Sequence, residues 1–109
     1  MKAIFHVDQI ERLVLALNNI IHVLEIEPKM EIELLAHGNA VQGFLVEGNT
    51  NLSTIEALSH QGVTFALCHH SLDKFQLSQE QLSTVVTIVP AGAYELIKKQ
   101  TEGFIYIKP

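Results

Sequence analysis

A single cysteine, Cys68, closes the apolar run Val63-Thr-Phe-Ala-Leu67, and His69, His70 and Ser71 follow it directly. A thiol beside two imidazoles and a hydroxyl has the makings of a nucleophile, because the thiolate is the attacking species and a histidine that is protonated or placed as a base favours it. A free cysteine has a pKa near about 8.5 and is mostly protonated at neutral pH, so the thiolate needs stabilising. The expected means are backbone N–H groups at a helix start just after Cys68, aided by His69 or His70. The plain alternative is a cysteine that merely packs, since unpaired cysteines are among the most buried residues.

Several chemistries are excluded by what the chain lacks. Without a second cysteine it cannot cycle as a dithiol oxidoreductase, so anything loaded on Cys68 has to leave for another protein or a small thiol. Storage or sensing through the same thiol stays open. Of the six histidines, His6 and His37 are expected at the same sheet edge as Cys68, His69 and His70. Their spacing matches no zinc motif, however, so pocket-lining or structural roles are favoured and neither metal nor cofactor is expected. No Gly-x-Gly-x-x-Gly or P-loop pattern supports nucleotide binding, and Ser71 does not sit in a Gly-x-Ser-x-Gly elbow. The seven Lys and Arg are scattered in a chain of net charge -5, which argues against direct nucleic-acid binding.

The remaining composition points to an ordinary globular domain, 48% hydrophobic and 17% charged, expected to form one unit over residues 1–109. No apolar run approaches the roughly 20 residues of a membrane helix. Met1-Lys2-Ala3 leads straight into a strand-like run without the pattern of a secretory leader. One cysteine makes no internal disulfide, so a cytoplasmic location is expected.

The elements that position the thiol follow from periodicity. Lys2–Val7 reads as a strand buried on both faces, and Asp8 with Glu11 as a capping box. In the helix beyond, Ile10, Leu13, Val14, Leu17, Ile21 and Leu24 form the apolar stripe. Glu31 to His37 is a second strand ended by Gly38. A short helix is suggested around Val41 to Val46, then a helix capped by Ser53 with Glu56 that turns Ile55 and Leu58 inward and ends at Gly62. Val63 to Leu67 is the third strand. Ser78 with Gln81 caps a short helix, Val85 to Val89 is the fourth strand, and Pro90-Ala91-Gly92 opens a helix with Leu96 and Ile97 on its apolar face. Phe104 to Ile107 is the fifth strand.

Strands alternating with helices imply right-handed crossovers and an α/β fold, a three-layer α/β/α sandwich on a mostly parallel sheet of about five strands. Ligands of such sheets bind beyond the carboxyl ends of the strands. Those ends hold Asp8, His37-Gly38, Cys68-His69-His70 and Pro90-Ala91-Gly92, so the reactive residues converge on one edge. Val41, Phe44, Leu45 and Phe75, in the less regular segments, are candidates for subunit contacts and equally for core.

Phe5-His6-Val7-Asp8, Glu33-Leu34-Leu35-Ala36-His37-Gly38, the run from Gly62 to Cys68 with Ser71-Leu72, Val89-Pro90-Ala91-Gly92, and the close from Gln100 to Pro109 together resemble the DsrE/DsrF-like proteins of intracellular sulfur metabolism. The likeness spans nearly the whole chain in the right order. It implies a small α/β/α fold assembled into homo-trimers or homo-hexamers. In some members it also implies a cysteine that carries sulfane sulfur as a persulfide between a sulfur donor and an acceptor, either proteins or small thiols. Cys68 matches that cysteine; His6, His37, Gly38, His69, His70, Ser71 and Gly92 would line its pocket. His70 stands where relatives tend to carry an asparagine. The alternative is a catalytically silent oligomeric subunit of the same fold that binds a small ligand or a protein.

Overall fold

A parallel strand covered on both sides has to be apolar almost throughout, and the runs around Phe5, Leu34 and Phe65 meet that demand. In the computed structural model, which describes residues 1–109, they become β1 (Lys2–Val7), β2 (Glu31–Ala36) and β3 (Thr64–Cys68), the centre of one five-stranded sheet. β4 (Val86–Val89) and β5 (Ile105–Ile107) form its edges, in the order β4-β3-β2-β1-β5, and every pairing is parallel. The register sets Leu35 beside Ala66 and Cys68 beside Val89.

Helices lie on both faces, as expected, but unequally. α1 (Leu13–Ile26), α2 (Leu52–His60) and the short α3 (His69–Lys74) cover one face with a core of 21 buried residues that includes Phe44, Phe65, Leu17 and Leu67. The other face carries only α4 (Gly92–Thr101), whose Leu96 packs on a smaller cluster of Ile4, Leu35, Ala66, Val89 and Phe104. That second face is the weaker half of the molecule. No helix is long and apolar enough to cross a membrane.

Local details differ from expectation for physical reasons. Asp8 does not cap α1, because its carboxylate is held by Lys108 at 2.6 Å; the Ile10 N–H is taken instead by Asn39 Oδ1 at 2.8 Å, and a 3-10 turn over Ile10–Arg12 leads into the helix. Rotation of the stripe buries Ala16 and Ile20 and leaves Ile10 and Val14 exposed. α2 starts one residue before Ser53, with Asn49 Oδ1 accepting the Asn51 N–H at 2.9 Å, so Ser53 lies inside its first turn. The segment around Val41 is a 3-10 turn over Gly38–Phe44. Gly62 does adopt a positive φ of 103°, and the Ser78 N–H does meet Gln81 Oε1 at 2.9 Å. Val41 and Phe44 are fully buried, and Leu45 and Phe75 pack against the same core, so these four are core residues rather than a free contact surface. Ile97, by contrast, is exposed, and Glu95 takes the inward position on α4.

Candidate functional site

Cys68 ends β3 and stands at the N-cap position of α3, so the chain turns from extended to helical at this residue, although Sγ makes no capping hydrogen bond to the helix. From the neighbouring edge, the Gly92 N–H at the start of α4 donates to Sγ at 3.3 Å. The Ser71 hydroxyl, with the backbone N–H groups of Ser71 and His70, also favours the thiolate. Burial alone would push the Cys68 thiol up; the Ser71 hydroxyl, then the N–H groups of Ser71, Gly92 and His70, outweigh it and hold the thiol below its ordinary value. Ser71 Oγ in turn accepts the Gly38 N–H at 2.8 Å, tying the end of β2 to the thiol's main donor.

Gly92 sits between two expected site residues. A Cβ there would lie 3.2 Å from the His37 ring and 3.5 Å from Cys68 Cβ, so the absence of a side chain lets α4 begin directly against both. His37 stacks on His6 with ring centroids 5.7 Å apart, and His6 Nδ1 meets the Tyr106 hydroxyl at 2.7 Å. Burial, then the Lys108 ammonium, depress the His6 pKa, only partly countered by Asp8. The His6 imidazole is therefore neutral at physiological pH, and its buried Nε2 has no partner. Asp8 is itself held below the ordinary carboxylate range by the Lys108 hydrogen bond.

Of the expected residues, Gly38, Ser71 and Gly92 surround Cys68, with His37 alongside Gly92 and His6 one ring further out. The side chains of His69 and His70 do not join them. Both are exposed, and His69 Nε2 lies 3.2 Å from the Asp73 carboxylate. His70 contributes its backbone N–H alone. No pocket opens at the thiol: Cys68 is 2% exposed, and the three surface cavities, of about 360, 360 and 240 Å³, are lined by other residues. No group of three or more His, Cys, Asp or Glu side chains is arranged to hold a metal ion.

Two further features escaped the sequence reading. Tyr106 reaches His6 because β5 pairs with β1 across nearly the full chain, a register that no local pattern encodes. Glu33 was readable as an anomaly, a carboxyl in the middle of an otherwise apolar, doubly covered strand. It is buried under α4 with Glu95, and Lys99 Nζ lies 3.6 Å from its Oε1.

The DsrE/DsrF-like family matches residues 2–109. Among solved structures, a protein of unknown function from Methanobacterium thermoautotrophicum, MTH1491, superposes with a TM-score of 0.91 at 25% identity, covering 99% of this chain and 98% of that one. The YchN protein of E. coli superposes with a TM-score of 0.81 at 23% identity over all of both chains, a likeness of fold. No curated protein matches.

Proposed function

The chain belongs to the DsrE/DsrF-like family, and on that premise we propose that it is a sulfur-relay protein in which Cys68 carries sulfane sulfur as a persulfide. Membership suggests a sulfur-relay type of role; the finer assignment rests on one observation, the Gly92 N–H donated to Cys68 Sγ at 3.3 Å, beside a Ser71 hydroxyl that also favours the thiolate. The same donors that stabilise a thiolate also stabilise the anion of a persulfide built on it.

The transfer balances without an outside oxidant. The Cys68 thiolate attacks the outer sulfur of a donor persulfide, the donor's S–S bond breaks, and the donor departs as a thiolate. Cys68 then holds a persulfide. An acceptor thiolate attacks the outer sulfur in turn, releasing Cys68 as the thiolate and leaving the persulfide on the acceptor. Donor and acceptor are proteins or small thiols, and residues 1–109 act as one domain, in the cytoplasm, where thiols stay reduced.

Intact mass spectrometry after exposure to a low-molecular-weight persulfide tests this. One reducible added sulfur atom is expected on the native chain and none on Cys68→Ser. Ser71→Ala, which loses the largest favourable contact to the thiol, loads several-fold more slowly at neutral pH. Equal uptake by Cys68→Ser removes the proposal. The burial of Cys68 favours a second reading, a silent oligomeric subunit that binds a small ligand or a protein; no adduct from any donor would support it.

We also propose assembly into a homo-trimer or homo-hexamer. It is supported by exposed apolar side chains on the thinly covered face, with Tyr94 61% and Ile97 64% exposed on α4 and Tyr106 open beside them. Light scattering at micromolar concentration is expected to give three or six chain masses, and a monomer would refute it.

A further inference from the structure

We propose that α4 is a gate over Cys68, latched by a single proton shared between the Glu33 and Glu95 carboxyls. As regulation of a sulfur-carrying thiol it rests on the function proposed above; as a proton-latched helix it stands without it.

The charges under α4 do not balance. Glu33, on β2, is 3% exposed and Glu95, on α4, is 7% exposed. The cation reaching them is Lys99, and its Nζ, 3.6 Å from Glu33 Oε1, is also 3.7 Å from Glu102 Oε1. From β1, Lys2 spends its ammonium on the Glu102 carbonyl at 3.3 Å and on the Phe104 ring. Glu31, at the open end of β2, adds negative charge, while β3 presents neutral Thr64 at the Glu33 register. Glu33 Oε2 is buried and receives no N–H or O–H. Such an oxygen beside a second carboxyl is satisfied when one proton lies between them. Burial, then the neighbouring Glu95, raise Glu33 to about 8, with Lys99 opposing them only in part. Glu33 therefore keeps its proton at neutral pH.

Loss of that proton to solvent leaves two carboxylates facing each other in a dry interface, a state that needs water and hence separation of the helix from the sheet. α4 is held there otherwise by Leu96 on a cluster of only five buried residues, a smaller anchorage than the 21-residue core under the helices of the other face. Its first residue, Gly92, is packed on Cys68, with its N–H 3.3 Å from Sγ. Lifting α4 uncovers Cys68, which as a residue is otherwise 2% exposed. The latch thus accounts for how a buried thiol meets a partner.

The test pairs amide hydrogen exchange of α4 with the rate of Cys68 alkylation by iodoacetamide, across pH, in wild type, Glu33→Gln and Glu95→Gln. Exchange is corrected for its intrinsic pH dependence, and alkylation for thiol titration. In wild type, α4 protection should fall by up to about tenfold per pH unit between about pH 6.5 and 8, then level off, and alkylation should follow. Glu33→Gln keeps a neutral partner, and Glu95→Gln leaves Glu33 paired with Lys99, so both should be flat over that range. If one variant does not fold, the other carries the comparison. A flat wild-type profile, or the same slope in the folded variants, overturns the latch. An intact α4 response in a chain that takes up no sulfur supports the latch and overturns the carrier reading.

Discussion

Gly38→Ala is expected to destabilise the fold by about 2–4 kcal/mol. Gly38 has φ +58°, a left-handed conformation that costs an L side chain about 1–2 kcal/mol. A Cβ there would also lie 2.8 Å from the Asp8 carbonyl oxygen, a backbone atom that moves only if the end of β1 moves with it. At about 4 °C per kcal/mol, the melting midpoint drops by about 8–16 °C. Gly48→Ala is the matched control, since Gly48 has a similar φ of 66° and nothing within 4 Å of the added Cβ. If thermal melts find the two equally mild, the close approach to Asp8 is not what holds this turn. Because the Gly38 N–H supports Ser71 Oγ at 2.8 Å, the same substitution should also slow reaction at Cys68.

Stability itself should decline from mildly acidic to mildly alkaline pH, opposite to the usual carboxylate behaviour. Glu33 binds its proton up to about 8 in the native state, whereas an unfolded glutamate has released it above about 4.3. Between those values the native state holds the extra proton, so stability falls as pH rises, by up to about 1.4 kcal/mol per unit. The contribution is fully present below the unfolded value and gone above the folded one. Asp8, depressed by Lys108, has the opposite sign but belongs to a half-exposed pair whose contribution is small and confined to acid. Cys68, also depressed, adds stability only at the alkaline end. His6, depressed by burial, has the opposite sign below about pH 6.5, so the Glu33 trend is cleanest from about pH 7 to 8, where urea denaturation of wild type should lose about 1 kcal/mol. Glu33→Gln should lose far less and exceed wild type at the alkaline end; a variant as pH-sensitive as wild type would show that Glu33 is not the group responsible.

Much of the architecture was legible because doubly covered parallel strands advertise themselves: Lys2–Val7 was read at both ends, and the other strands to within a residue or so. That Gly38 and Gly92 share an edge with Cys68 followed from the rule that ligands gather beyond the carboxyl ends of such strands, whereas Ser71, which links Gly38 to that edge, lies past the strand end. What stayed hidden depends on partners remote in sequence. Asn39 caps a helix that begins near Ile10, and Lys108 draws Asp8 away from the same task. The histidines after Cys68 stayed open in the sequence because composition does not say which way a side chain turns at a helix start, and both are exposed, with His69 beside Asp73. Ile97 and Glu95 exchanged expected roles, since helical periodicity tells which residues share a face but not which face meets a sheet bearing its own buried carboxyl.

The path from β4 to β5 carries α4 across the whole sheet, from one edge to the other. The contacts that finish the structure, such as His6 with Tyr106 and Asp8 with Lys108, join residues 100 positions apart. Closing so long a loop costs chain entropy before any contact rewards it, so the last crossover of this parallel sheet is the slow part of its assembly. Until that last crossover docks, Cys68 lacks the Gly92 donor and lies open at the end of β3. A nascent or half-folded chain thus presents an accessible thiol of unremarkable acidity. The completed chain presents a shielded, more acidic one, so the reactivity of the cysteine is itself a report that folding has finished.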